Sequence, residues 1–250
     1  MKGYNGNKTL LSLIPKTGLY EGERPMLLEV LNNLPGGPKG IVVNYRSDDV
    51  IEATSSLNVA YIHQPVTNGT GGALIAAQDF IKQVKAEMVI VTMGDAPLIR
   101  SVTYQNLLAK LQSNAVVVVG FIPQNKAQYG VLEIEAEKVK KITEWKYWKD
   151  YPAELKQNLS VCNSGIYGFK RNTLIKYIDM LKKSPHTVEK EQNGHNVMIE
   201  EFFITDLVKL IANDSLDIGY IVVNDEKEVM GVDTDSALME AQACYVRRFA

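Results

Sequence analysis

Short runs of β-branched residues return along this chain, each separated from the next by a segment of helical periodicity. Ile41 to Tyr45, Val59 to His63, Met88 to Met93 and Ala115 to Ile122 read as strands. Between them lie a short helix from an N-cap at Ser47 through Thr54, an amphipathic helix from Gly72 to Val84, and a helix from a Ser101 cap through Gln112. This β-α-β-α rhythm predicts a parallel sheet with helices on both faces.

The rhythm changes after Ile122. Tyr129 to Ile134 and Val139 to Trp145 predict a hairpin with its turn at Glu135 to Lys138, and Leu159 to Phe169 another strand. Helices are expected over Asn172 to Lys183 and Ile199 to Asn213. Ser184 to Asn196, polar and holding Pro185 and Gly194, reads as a mobile surface loop. Ile218 to Asn224 is a late strand. Asp233 to Phe249 is a last amphipathic helix, with Arg247 and Arg248 suited to its C-terminus. No repeat or linker interrupts 1–250, so one mixed α/β domain is expected, with a small inserted sheet and 233–250 as a C-terminal helical arm.

A net charge of −2 speaks against a general nucleic-acid binder. No apolar run approaches the roughly 20 residues of a membrane span, and no signal pattern opens the chain. A cytoplasmic protein without membrane association is expected. Cys162 and Cys244 are far apart, and with three histidines they suggest neither a disulfide framework nor a zinc site.

Four constellations could carry chemistry. Gly94-Asp95 follows a strand, where ligands bind in open α/β sheets and where a carboxylate can hold a divalent cation against phosphates. It could equally cap a turn. Gln64 precedes Asn68-Gly69-Thr70-Gly71-Gly72 and a helix; the glycines permit close approach and the helix start offers free N–H groups. The same segment could be a plain turn. Gly231-Val232-Asp233 offers a second carboxylate, a helix N-cap, or both at once. Tyr129-Gly130, Glu144 and Asn163-Ser164-Gly165 could line a sugar pocket, or be a bend, a surface carboxylate and a turn.

In this order and at these separations, the segments resemble the sugar-1-phosphate nucleotidyltransferases. They are most similar to the uridylyltransferase domain of bacterial enzymes that make UDP-N-acetylglucosamine. Lys8-Thr9-Leu10-Leu11, Arg24-Pro25-Met26-Leu27 and Ile204-Thr205-Asp206 extend the likeness from about Lys8 to the end. The resemblance implies a Rossmann-like, doubly wound mixed sheet. It implies that Gln64, Gly69 and Thr70 read uracil, that Lys8 contacts nucleotide phosphates, and that Asp95 and Asp233 hold Mg²⁺. Gly130, Glu144 and Asn163 would bind the sugar. Asp233 stands where uridylyltransferases usually carry Asn. The implied reaction joins UTP and a sugar 1-phosphate, with release of pyrophosphate. Its catalysis rests on positioning and charge neutralisation, with Lys8 and Asp95 as the catalytic pair.

Two departures accompany the likeness. The family opens with a strand and a glycine-rich phosphate loop, whereas this sequence starts at Met1-Lys2-Gly3-Tyr4. That strand should be central, so a gap or two open sheet edges are expected. A longer product with an earlier start, or a degenerate chain that binds without turnover, would each explain it. The sequence also holds no hexapeptide pattern, so no acetyltransferase domain is expected. Three readings follow: a Mg²⁺-dependent uridylyltransferase for N-acetylglucosamine 1-phosphate, a related transferase for another base or sugar, and a non-catalytic nucleotide-sugar binder.

Overall fold

A computed structural model of the chain describes residues 4–192 and 195–249. A hairpin of β1 (Ser12–Pro15) and β2 (Gly22–Pro25) leads into α1 (Met26–Asn33). β3 (Lys39–Val43), α2 (Ser47–Thr54) and β4 (Val59–His63) follow, and β3 and β4 pair in parallel. The chain continues through α3 (Gly69–Ala76), α4 (Gln78–Gln83), β5 (Met88–Val91), α5 (Ser101–Leu111) and β6 (Val116–Phe121). Next come β7 (Val131–Glu135), β8 (Lys138–Thr143), α6 (Trp145–Trp148), α7 (Ala153–Asn158) and β9 (Cys162–Lys170). The remainder is α8 (Arg171–Leu181), β10 (His186–Gln192), β11 (His195–Glu201), α9 (Ile204–Asn213), β12 (Ile218–Val223) and α10 (Asp235–Phe249).

The main sheet has six strands and is mixed. Its order runs β12-β6-β9-β7-β8, with β5 also on β9. β12 is parallel to β6, while β9 runs antiparallel to β5, β6 and β7. The expected mixed sheet forms, with β9 running against its neighbours; the parallel pairing expected from the first half is found for β3 and β4, which stand as a separate sheet, and not for β5 and β6, which both pair with β9. The expected hairpin forms, but it extends the main sheet through β9 instead of standing apart. Its two-residue turn puts Ala136 and Glu137 at φ 48° and 60°, the paired positive values that match strand twist.

Helices do cover both faces. The valines of β6 alternate, Val116 and Val118 packing with Leu174, Ile178 and Leu207 on one face. Val117 and Val119 pack with Tyr104, Leu107 and Leu111 on the other. All four valines are fully buried, as expected of a strand with neighbours on both sides. α10 lies on the N-terminal hairpin, burying Leu238, Ala241 and Tyr245 against Leu11, Leu13 and Met26. Gln242 donates from Nε2 to the carbonyls of Ser12 and Leu19, both at 2.8 Å.

Local boundaries depart from expectation for physical reasons. Ser47 and Ser101 are the first helical residues, not caps; Arg46 and Arg100 precede them, and neither helix has a side-chain cap bond. The helix expected from Gly72 begins at Gly69 and breaks at Ala77. The segment expected as a mobile loop, Ser184 to Asn196, instead pairs as the β10–β11 hairpin, with Val188 opposite Ile199. That hairpin also takes Ile199 to Glu201 from the predicted helix, which starts at Ile204. Gly194, expected inside the loop, lies outside the described residues, as do residues 1–3 and 250.

Candidate functional site

Three chain segments converge at one end of the main sheet. Lys8 begins a single 3₁₀ turn, Lys8–Leu10, capped by Asn7, whose Oδ1 accepts from Thr9 N at 3.1 Å. Asp95 follows β5 at the tip of a Gly94-Asp95 loop. Asp233 precedes α10. Thr234 takes over the capping task, its Oγ1 accepting from Ala237 N at 3.1 Å, which corrects the alternative of Asp233 as N-cap and leaves that carboxylate free to face the site. The Asp95 carbonyl accepts from Val232 N at 2.9 Å and holds the two acidic loops together.

Lys8 Nζ donates to Asp95 Oδ2 at 2.6 Å and to Asp233 Oδ1 at 2.5 Å. Burial alone would lower the Lys8 pKa. The hydrogen bonds to Asp233 and Asp95 outweigh it and hold the value above the ordinary lysine range. Two carboxylates thus meet at one cationic point that stays reachable from solvent, since the Asp233 side chain is 72% exposed and that of Asp95 21%. The Lys8 ammonium is the cation between the two carboxylates in this structure. An oxygen pair of this kind suits Mg²⁺, which is usually held by one or two carboxylates plus substrate phosphates and waters. Among the described residues no cluster of three or more His, Cys, Asp or Glu offers a closed, all-protein metal cage.

A second group gathers around the Gly69 segment. Gln64 is buried, and its Nε2 donates to Asn68 Oδ1 at 3.1 Å and Gly69 O at 3.4 Å. Gly69 has φ +90°, and a Cβ there would stand 2.4 Å from the Phe202 carbonyl. Gly71 N donates to that same carbonyl at 2.8 Å, and Phe202 N to Asn68 O at 2.9 Å. The glycines therefore serve packing against the strand end of β11 as well as backbone freedom. Thr70 is exposed, with its Oγ1 accepting from Ile204 N at 3.3 Å.

The third group is Gly130, Glu144 and Asn163, and these do come together. Asn163 N donates to the Gly130 carbonyl at 2.8 Å. A Cβ on Gly130 would meet Glu144 Oε2 at 3.3 Å, so any larger residue there crowds the carboxylate. A bulge aims Asn163: the β6–β9 register shifts at Val119/Gly120, Gly165 takes φ +80°, and Ser164 Oγ bonds Val119 O at 2.7 Å. The Asn163 amide donates to Tyr167 OH at 2.8 Å, and burial pushes that phenol well above its usual pKa.

Short links join the three groups. Thr70 bonds Ile204, Thr205 Oγ1 donates to Glu144 at 3.1 Å, and Gly165 lies against Met93, two residues before Asp95. Thr205 received no individual role from sequence, although its segment marked the likeness; its neighbour Ile204 starts α9, and that placement carries the hydroxyl to Glu144. Glu228 went unnoticed: it is fully buried, bonded by Arg100 Nε at 2.6 Å and by Thr103, and it anchors the loop between β5 and α5. Nothing in the sequence pattern distinguishes it from a surface glutamate.

Comparison with known proteins identifies the family and the fold. The nucleotidyl transferase family pattern matches residues 19–222. The bifunctional protein GlmU of Clostridium botulinum (strain 657 / Type Ba4) is 32% identical over 247 residues, covering 96% of this chain and 50% of that protein. The chain spans about half the length of the curated relatives it matches. A protein described as a UDP-N-acetylglucosamine pyrophosphorylase from Entamoeba histolytica superposes with a TM-score of 0.67 at 13% identity, covering 98% of this chain and 79% of the other. A CMP:2-keto-3-deoxy-manno-octonic acid synthetase complexed with CTP gives 0.64 at 16% identity, covering 98% and 95%. The chain belongs to the nucleotidyl transferase family, and its fold is of the Rossmann-like, nucleotide-sugar transferase type.

Proposed function

We propose that this family member joins UTP and N-acetylglucosamine 1-phosphate to give UDP-N-acetylglucosamine and pyrophosphate, with Mg²⁺ held between Asp95 and Asp233. The observation that carries this reading is the convergence of both carboxylates on the Lys8 ammonium. The likeness to GlmU proteins supports the choice of base and sugar.

In this reading, Asp95 and Asp233 would hold Mg²⁺ on loops tied by the Val232–Asp95 backbone bond, and the ion would supply neutralisation of the triphosphate charge. Lys8 leaves the carboxylates for the phosphate oxygens, exchanging one set of anions for another. A phosphate oxygen of the sugar 1-phosphate attacks the α-phosphorus in line as the bond to the β-phosphate breaks. The attacking phosphate is already anionic near neutral pH, so no side-chain base is required. Gln64 and the Gly69-Thr70 backbone hold uracil; Glu144, Asn163 and the Gly130 backbone hold the sugar.

Pyrophosphate release from UTP tests the reading, with other nucleoside triphosphates and sugar phosphates in parallel. The expected result is turnover that requires N-acetylglucosamine 1-phosphate and Mg²⁺. Asp95→Ala should lower the rate by about a hundredfold or more, because the cation supplies several kcal/mol of charge stabilisation. Full rate in Asp95→Ala removes the metal assignment. Binding of UDP-N-acetylglucosamine by calorimetry without any turnover would leave a nucleotide-sugar binder instead.

A further inference from the structure

Asp95 and Asp233 belong to two loops that lie against each other. One runs from Asp95 through Arg100 into α5; the other runs from a 3₁₀ turn at Glu226–Val229 through Asp233 to α10. Beside the carboxylates a single backbone bond joins them, from Val232 N to the Asp95 carbonyl at 2.9 Å. A second junction lies five residues from each carboxylate, where Glu228 of one loop meets Arg100 of the other.

Glu228 is fully buried, and among the described residues its carboxylate bonds only to the opposite segment. Oε1 accepts from Arg100 N at 3.3 Å and from the Thr103 hydroxyl. Oε2 accepts from Arg100 Nε at 2.6 Å and from the guanidinium Nη2. Val229 shares an apolar cluster with Ala96 and Ile99, so the same two segments also pack together. Stability alone gives little reason for a buried charge here, because desolvation offsets most of its attraction and an apolar pair of similar volume often does as well. Geometry gives a better one. Two guanidinium nitrogens, a backbone N–H and a hydroxyl converging on one carboxylate admit one arrangement of the loops. One tie between two loops leaves a hinge, whereas two ties fix the angle.

We propose that Glu228 is a positioning residue which, through Arg100 and Thr103, sets the separation of the Asp95 and Asp233 carboxylates. The consequence for Mg²⁺ rests on the reading given above, in which both carboxylates hold the ion; the tie between the loops does not. Removing a group that stands behind a metal ligand typically weakens the metal by about ten- to hundredfold.

The test compares the full chain with Glu228→Gln, Thr103→Val and Thr103→Ser. Amide exchange at Val232, followed by NMR without metal or nucleotide, reports the junction beside Asp95. Val118, central in β6, is the reference for overall unfolding. The Mg²⁺ concentration that gives half-maximal pyrophosphate release reports the seat itself. In Glu228→Gln, exchange at Val232 should quicken about tenfold relative to Val118, and half-saturating Mg²⁺ should rise about tenfold or more, with KM for the sugar phosphate unchanged. Thr103→Val should show both effects in smaller measure, and Thr103→Ser, which keeps the hydroxyl, should match the wild type. Gln78→Ala is the control: it removes a buried bridge to Asp179 and Lys182, and should lower the thermal midpoint without raising either readout. Exchange at Val232 that merely follows Val118 in Glu228→Gln marks a purely structural carboxylate and overturns the proposal. Faster exchange at Val232 with half-saturating Mg²⁺ unchanged overturns it too. If Glu228→Gln does not fold, Thr103→Val decides on the same two readouts. A wild type that turns over without Mg²⁺, or not at all, removes the metal reading, and exchange at Val232 then decides alone whether Glu228 holds the carboxylate loops in place.

Discussion

β6 and β3 both carry runs of β-branched residues and end in different surroundings. Val116 to Val119 of β6 lie between β12 and β9 and are fully buried. Val42 of β3 and Val89 to Val91 of β5 are equally apolar and keep part of their surface accessible, because each strand has one neighbour and a cavity on its other edge. The difference teaches that side-chain hydrophobicity sets which residues enter a sheet, while the second neighbour sets how far they are withdrawn from water. One half of this molecule is a finished core. The other has the composition of a core and the pairing of a surface.

The largest test of that contrast is a pair of truncations followed by urea denaturation. Leu107→Ala removes a fully buried side chain that packs against Gly168 of β9, and should cost about 2–5 kcal/mol. Leu31→Ala removes a buried side chain that packs with Ile41 and Val43 but borders the cavity beside β3, and should cost less, about 2 kcal/mol. Equal losses would break the comparison. A smaller effect is expected at Lys8, whose pKa lies above its ordinary 10.5. A group whose folded pKa is raised stabilises fully below the unfolded value and loses that stabilisation as pH rises through the folded one. Stability should therefore fall as the solution passes above about pH 10.5, and Lys8→Met should flatten that part of the curve. The smallest effect is chemical. Cys162, buried in β9 on the finished side, has its thiol pushed up to about 11 by burial. At about pH 8 it should resist a thiol reagent, while the partly exposed Cys244 reacts. Labelling of both cysteines in the folded protein would show that the packed half opens more readily than its burial suggests.

Much of this was legible in the sequence because the signals were local. The four consecutive valines of β6, the runs at β3 and β4, and the two-residue hairpin turn each announce themselves within a few residues. The order Gln64, Gly69-Thr70, Asp95, Gly130, Glu144, Asn163 and Asp233 was enough to name the family, which the comparison bears out. What stayed hidden depends on distant partners. The direction of β9 is set by its pairing with β5, β6 and β7, not by its own residues. The β10–β11 hairpin was read as a loop because its charged residues and Pro185 outweigh the alternation of Val188, Val197 and Ile199. Asp233 could be a cap or a site carboxylate until Thr234 was seen to cap. Glu228 looks solvent-exposed in sequence and is the most buried carboxylate partner of Arg100 only because two loops close over it.

The bond between Lys8 and Asp233 ties positions 225 apart in the chain. During synthesis the residues emerge in order, so Lys8 and Asp95 are available long before their third member. Until residue 233 is made, Lys8 has one of its two carboxylate partners; Asp233 adds the second. α10, clamped onto the first hairpin by Gln242, is thus the element that fixes Asp233 beside a lysine from the opposite end of the sequence.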